Sequence, residues 1–485
     1  MPRMRTSSAI ELFLPLRRED GRPLHRQLEQ QLRDAVRTGR LVPSSIVPST
    51  RALATQLGVS RGIVVEAYEQ LIAEGYLGSR PGGTTTVARA ATAAATRRPE
   101  PQARRFVVEF RSGRPDLDEF PRSAWLRSLR RVLNEAPSDR LGYHDGRGIP
   151  ELRNALATYL NRVRGTAADP AAVVISSGFA QGLKLVAKVL AASGARRIAV
   201  EDPGYADARA IVRAAGLSAI GIPVDESGIR VDALDRARAD AVVVTPAHQY
   251  PTGGVLPPDR RAALVAWAKR QNAMIIEDDY DAEFRYDRDP IGSLQGLCPD
   301  HVVYAGSASK ILAPGLRLGW LLVPASLVDG IARAKMSDDL GSPALEQLAF
   351  ADFVSSGELD RHLRRMRPIY RARRDTLLGA LRRHLPALRP VGASAGLHVL
   401  AWLPPGVDES AFLHSAGEAG IWLETLAESW IADGAGGIIF GYGSVPATAI
   451  DASIRRLAAA TGFTAKATRS RVRQATSTTR GSRSR

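Results

Sequence analysis

Lys310 closes the run Ser307-Ala308-Ser309-Lys310, directly after the apolar stretch Val302-Val303-Tyr304-Ala305, and Arg317 follows on the C-terminal side. Of the 66 lysines and arginines only six are lysine, at positions 184, 188, 269, 310, 335 and 466. An arginine keeps its charge at any ordinary pH. A lysine loses its proton readily once buried, and only a neutral amine can form an imine with a carbonyl. A lysine kept at a strand end amid so much arginine therefore points to imine chemistry; a side chain snorkelling from the strand end is the plainer alternative. Other chemically able residues close neighbouring apolar runs. Ser176-Ser177-Gly178-Phe179-Ala180-Gln181 opens a helical pattern, where backbone N–H groups favour a phosphate. Glu201-Asp202-Pro203-Gly204-Tyr205, His248-Gln249-Tyr250-Pro251-Thr252-Gly253 and Glu277-Asp278-Asp279-Tyr280 each end another run.

These motifs need a scaffold that brings strand ends together. Val173–Ile175, Ile198–Val200, Ala241–Val244, Met274–Ile276, Val302–Tyr304 and Leu318–Val323 read as buried strands, and helical patterns separate most of them. That alternation predicts a mostly parallel α/β sheet. Glu358–Leu385 reads as one long arginine-rich amphipathic helix, with a smaller α+β portion after it. Nearer the start, Leu24–Arg37 has helical spacing at Leu24, Leu28, Leu32 and Val36. Ser49 is placed to cap a helix through Leu57, Gly58 permits a turn, and Ser60 is placed to cap Arg61–Glu74, with Val64, Val65, Tyr68, Leu71 and Ile72 inward. Two short helices joined by Leu57-Gly58-Val59-Ser60 form a helix-turn-helix pattern, and Gly75–Val87 reads as a glycine-tipped hairpin, a wing.

The bulk composition bounds the rest. A chain of 485 residues has room for two or three domains. A single cysteine, Cys298, excludes an intramolecular disulfide framework and suits a reducing compartment. No apolar run is long enough to span a bilayer, and no secretory signal follows the basic first residues, so a cytoplasmic protein is expected. Of the net charge of +16, residues 464–485 carry +7, residues 1–88 carry +4 and residues 89–105 carry +4, leaving the middle almost neutral. Positive charge at both ends predicts a polyanion partner, most simply double-stranded DNA. Residues 89–105 lack large apolar groups and read as a linker, and the Ser/Thr/Arg-rich residues 464–485 as a disordered basic tail.

Residues 22–88 resemble the winged-helix head of the GntR family of bacterial regulators, through Gly39-Arg40-Leu41, Pro48-Ser49-Thr50-Arg51, Leu57-Gly58-Val59-Ser60-Arg61 and Ala67-Tyr68-Glu69-Gln70-Leu71. The resemblance implies that Arg51, Ser60 and Arg61 meet DNA, and that the wing at Gly82-Gly83 approaches the minor groove. Gly62 departs from the polar residue usual after Ser-Arg, which removes one contact from that set.

From Phe106 to Gly462 the motifs resemble fold-type I pyridoxal-phosphate enzymes, the aspartate-aminotransferase class. The resemblance implies Lys310 as the Schiff-base lysine of an internal aldimine. It implies Ser307, Ser309, Arg317 and the Gly178-Phe179-Ala180 turn as phosphate ligands, Tyr205 against the pyridine face and Tyr280 on the ring hydroxyl. Asp278 is assigned to the pyridine nitrogen; Asp279 stays open, since a one-residue bulge would exchange the two. Two departures stand out. Tyr250 replaces an asparagine before Pro-Thr-Gly, and Gly437–Tyr442 carries no arginine where many aminotransferases grip the substrate carboxylate.

Head, linker and body together resemble the MocR/GabR/PdxR subfamily of transcription regulators. The expected organisation is a winged helix-turn-helix domain over 1–88, a linker over 89–105, an aminotransferase-like domain over 106–463 with a smaller C-terminal α+β part, and the tail 464–485. The resemblance implies a head-to-tail homodimer that binds promoter DNA and senses pyridoxal phosphate, an amine, or both through Lys310. A working aminotransferase with an attached DNA-binding head is the alternative. No metal is expected.

Overall fold

The apolar runs of the body are continuous, without polar alternation, because the sheet they build is covered on both faces. In the computed structural model, which describes residues 14–19, 21–79, 84–88, 106–286 and 291–463, eight strands lie side by side. Their order is Val173–Ser176, Gly319–Leu322, Val302–Ser307, Met274–Asp278, Ala241–Val244, Arg197–Asp202, Ser218–Asp225 and Gly228–Ile229. Pairing is parallel from Val302–Ser307 through Ser218–Asp225. Gly319–Leu322 runs antiparallel to both its neighbours. Val243, Ile276 and Val303 pack on one side with Leu183, Val186 and Val212. Val242, Val244 and Ile275 pack on the other with Leu264 and Trp267. Because the strands that they close all run in one direction, Ser176, Asp202, Asp278 and Ser307 lie at the same, C-terminal end of the sheet, where parallel α/β sheets hold their ligands.

The smaller part follows the helix Glu358–His384, which spans 27 residues and tolerates Pro368 inside it. Its four-stranded sheet orders Arg389–Val391, His398–Trp402, Gly437–Gly441 and Glu424–Thr425. Phe440, Val399, Leu377, Leu381, Ile454 and Leu457 join the large core cluster that also holds Val173 and Trp320. A short parallel pair ties Val108–Glu109, near the start of the body, to Ile421–Trp422.

The chain divides into two compact units, Met1–Ala103 and Arg104–Arg485. The first contains helices Leu24–Arg37, Thr50–Leu57 and Arg61–Ala73 and the antiparallel strands Leu77–Gly78 and Thr86–Val87. Leu28, Leu32, Leu53, Val64, Tyr68, Leu71 and Val87 form its core. The second helix starts as expected, the Ser49 hydroxyl accepting the Ala52 N–H at 3.2 Å. It stops at Gly58, whose φ of 62° suits a residue without Cβ. Two details differ from the sequence reading. Ser60 occupies the N-cap position of Arg61–Ala73, but its side chain makes no cap hydrogen bond. Ile72 is 36% exposed, because positions 64, 68 and 71 share the buried face and 72 lies one step round the helix. Residues 89–105 and 464–485, expected as linker and tail, lie outside the described residues.

Candidate functional site

The strand-end motifs meet in one cavity of about 360 Å³. Every residue expected at a cofactor lines it: Lys310, Asp278, Tyr280, Ser307, Ser309, Arg317, Gly178, Phe179, Ala180 and Tyr205. The geometry follows from the strands. Side chains alternate along Met274–Asp278 and just beyond it, so Asp278 and Tyr280 point one way and Glu277 and Asp279 the other. Asp279 is buried outside the cavity. It holds Arg164 through two bonds of 2.6 and 2.9 Å and accepts the Tyr304 hydroxyl at 2.7 Å. Glu277 accepts the N–H groups of Leu294 and Gln295 at 2.9 and 3.1 Å.

Lys310 sits in the short helix Ala308–Ile311, started by the Ser307 hydroxyl accepting the Ser309 N–H at 3.0 Å. Ser307 also donates to the Ser309 hydroxyl at 2.8 Å. Burial pulls the Lys310 amine below its ordinary pKa, and the charges of Asp278, Asp281 and Glu424 partly restore it. Burial pushes the Asp278 carboxyl well above its usual range, Asp279 adds to the rise, and Lys310 opposes it. Gly113, with φ of 63°, brings its backbone so close that a Cβ there would lie 2.5 Å from the Lys310 Nζ.

At the other end, Gly178 (φ 89°) turns the chain into the helix Phe179–Ala192, whose first N–H groups have no partners within the helix. The Arg317 guanidinium donates to the Ser177 carbonyl and lies against Gly178, where a Cβ would stand 3.2 Å from it. This end of the cavity has the donors and charge an anion needs.

An aromatic wall completes the site. Tyr250 meets Tyr205, Tyr280 and His398 edge-on at 6.1, 6.3 and 5.3 Å. Burial raises the Tyr250 phenol to about 12. The Tyr280 hydroxyl lies 3.0 Å from Nδ1 of His248, which is 2.9 Å from Oδ2 of Asp281. Burial pulls His248 down, but the Asp281 carboxylate outweighs it and holds the imidazole above its ordinary value. His398 is driven to about 3 by burial and by the neighbouring His248. His248, Asp281 and His398 bring ligand-type atoms within 4.8 Å of one another, the one such group among the described residues.

Ser112, Gly113, Pro314 and His398 also line the cavity and were not singled out from the sequence. Ser112 and Gly113 sit in a loop without local pattern, and a lone histidine in an apolar strand reads as core. The place expected for a carboxylate-gripping arginine, Gly437–Gly441, is a fully buried strand; a Cβ on Gly441 would overlap the Arg111 carbonyl. Among the described residues lining the cavity, the cations are Lys310 and Arg317.

In the N-terminal unit, Arg51, Ser60, Arg61 and Gly62 are exposed at the starts of the two helices of the turn motif. Arg61 Nε reaches the Thr50 hydroxyl at 3.4 Å. Neither Arg51 nor Arg61 makes an ion pair among the described residues, which leaves both guanidinium groups for an external anion. Gly83 lies outside the described residues.

Residues 106–424 match the family described as aminotransferase class I and II, and residues 24–87 match the bacterial regulatory proteins of the gntR family. The chain is 36% identical over 431 residues to the HTH-type pyridoxine biosynthesis transcriptional regulator PdxR of Corynebacterium glutamicum, covering 86% of this chain and 91% of that protein. It is 32% identical over 457 residues to the probable rhizopine catabolism regulatory protein MocR of Rhizobium meliloti, covering 89% and 92%. Among solved structures, a kynurenine aminotransferase from Pyrococcus horikoshii aligns with TM-score 0.68 and 26% identity over 73% of this chain and 90% of its own. The α-aminoadipate aminotransferase LysN from Thermus thermophilus, complexed with N-(5'-phosphopyridoxyl)-L-leucine, aligns with TM-score 0.67 and 26% identity over 73% and 92%.

Proposed function

The chain belongs to the MocR/GabR/PdxR subfamily of GntR-family transcription regulators, a winged DNA-binding head joined to an aminotransferase class I and II body, and we propose that the body is a sensor built around pyridoxal phosphate at Lys310. When bound, that group supplies an aldehyde that condenses with amines and a pyridine ring that draws electrons. The residues fit it. Lys310 would hold the aldehyde carbon, its amine made available by burial. Asp278, buried and facing the same cavity, would keep a proton on the ring nitrogen. Tyr280 would meet the ring hydroxyl and Tyr205 the ring face. Arg317, Ser307, Ser309 and the Gly178–Ala180 turn would take the phosphate. Pyridoxal-type ligands named for the aminotransferases of similar fold support the assignment.

The observation that carries a sensor over an efficient enzyme is the apolar strand Gly437–Gly441, which offers no cation. Transamination needs the substrate held with its Cα–H bond perpendicular to the ring, and a carboxylate clamp supplies that orientation. Capture of an amine needs no clamp. A ligand that binds one arrangement of the body better than another shifts the population, and the DNA-binding heads read the shift. A head-to-tail homodimer is part of this proposal. The test pairs two assays on the full-length protein: operator binding with and without pyridoxal phosphate and amines, and product analysis with a panel of amino and keto acids. The sensor reading expects a ligand-dependent change in DNA affinity. Sustained turnover at roughly one per second or faster would replace it with a bifunctional aminotransferase.

A further inference from the structure

The strand Glu424–Thr425 runs antiparallel to Gly437–Gly441, and Glu424 stands in register with Ile439. The position that lacks the expected cation therefore has an acid beside it. Glu424 is half-buried and accepts the Ser112 N–H at 3.3 Å. It makes no ion pair among the described residues. Arg111, in the same stretch of chain, is engaged elsewhere: it pairs with Glu109 at 2.7 Å and lies over the Trp422 ring at 3.7 Å.

Glu424 is coupled to the cavity through its wall. Ser112 lines the cavity, with its hydroxyl 3.3 Å from that of Tyr250, and Gly113 lies against the Lys310 amine. The Glu424 charge acts on both Lys310 and Tyr250. An aromatic ring such as that of Tyr250 favours cations, as a carboxylate does, and both disfavour anions. A carboxylate-bearing ligand needs a positive counter-charge; the charge that stands behind Ser112 in this wall, Glu424, is negative.

We infer that Glu424 is a specificity-determining residue of the amine pocket, which selects aliphatic amines bearing a second positive group, diamines above all, and disfavours amines bearing a carboxylate. The inference rests on the sensor reading above. One amino group goes to the imine position, the other lies toward Glu424, and a carboxylate placed there meets like charge with no cation to balance it.

The full-length protein with pyridoxal phosphate present is titrated calorimetrically with 1,5-diaminopentane, n-pentylamine and L-lysine, which share a carbon chain and differ in charged groups. The diamine is expected to bind about tenfold or more tightly than either of the others. In Glu424→Gln the diamine and monoamine should converge and L-lysine should gain. The ranking on the native protein is a test in itself, should the variant fail to fold. L-Lysine binding as tightly as the diamine, the same ranking in Glu424→Gln, or no binding of any of the three overturns the inference. Cofactor absorbance in the same sample separates the two readings. Uptake with the wrong amine order sinks the selectivity alone; no uptake sinks the sensor reading with it.

Discussion

Asp278 and Asp279 adjoin in sequence and part in space, one facing the cavity and the other held by Arg164 and Tyr304. Substituting each should separate their roles. Asp278→Ala should release pyridoxal phosphate, read by absorbance after dialysis. Asp279→Ala leaves the buried Arg164 unpaired and should cost about 3–5 kcal/mol in urea unfolding. A second residue-scale prediction concerns Glu201, which accepts the Thr245 hydroxyl at 2.5 Å. Burial raises its pKa from the usual 4.5 to about 7. A group with a raised folded-state pKa favours the fold below its unfolded value, and that contribution is lost as pH rises through the folded one. Unfolding free energy should therefore fall between pH 4.5 and 7 on this account, and Glu201→Gln should gain stability over the native protein at pH 8 but not at pH 4.5. Equal gains at both would deny the titration. That Asp278, Ser307 and Lys310 share a cavity was legible because each stands at or just past the end of an apolar run. The choice between the two aspartates needed the alternation of an actual strand, and Ser112, Gly113 and His398 gave no local signal.

At the scale of elements, the turn motif and the long helix followed from spacing and caps, whereas Ile72 did not. A helical period fixes which positions share a face but not how wide a stripe the neighbouring helices cover. Arg51 and Arg61 begin the two helices of the motif with no ion pair among the described residues. Replacing either with Ala should weaken operator binding and lower the salt dependence by about one unit of log–log slope, with the cofactor absorbance unchanged. Unaltered affinity in both would remove the docking surface from these helix starts. The antiparallel strand Gly319–Leu322 inside an otherwise parallel stretch was not legible, since a buried strand reads the same in either direction. Gly441 offers a packing test. A Cβ there would overlap the Arg111 carbonyl, so Gly441→Ala should cost about 1–3 kcal/mol in thermal or urea unfolding and disturb the cavity wall at Ser112.

For the whole molecule, a winged head before an aminotransferase-like body was readable from motifs that fall within residues 24–87 and 106–424, the two regions that match the corresponding families. The acid behind the cavity wall was not, because Glu424 meets the cavity only through Ser112, some 300 positions away in sequence. The tail, residues 464–485, carries +7. Removing it should reduce salt-sensitive binding to random DNA while operator preference persists; loss of preference with affinity unchanged would make the tail a sequence reader. The segment that follows residues 89–105 has a double occupation. Val108–Glu109 pairs with Ile421–Trp422, the Phe110 carbonyl accepts the Gly441 N–H at 3.0 Å, Ser112 meets Glu424 and Tyr250, and Gly113 abuts Lys310. Evolution consequently has little freedom just after residue 106. A single residue gained or lost there would reshape the cavity wall, so length drift among descendants of this gene should be absent from residues 108–113.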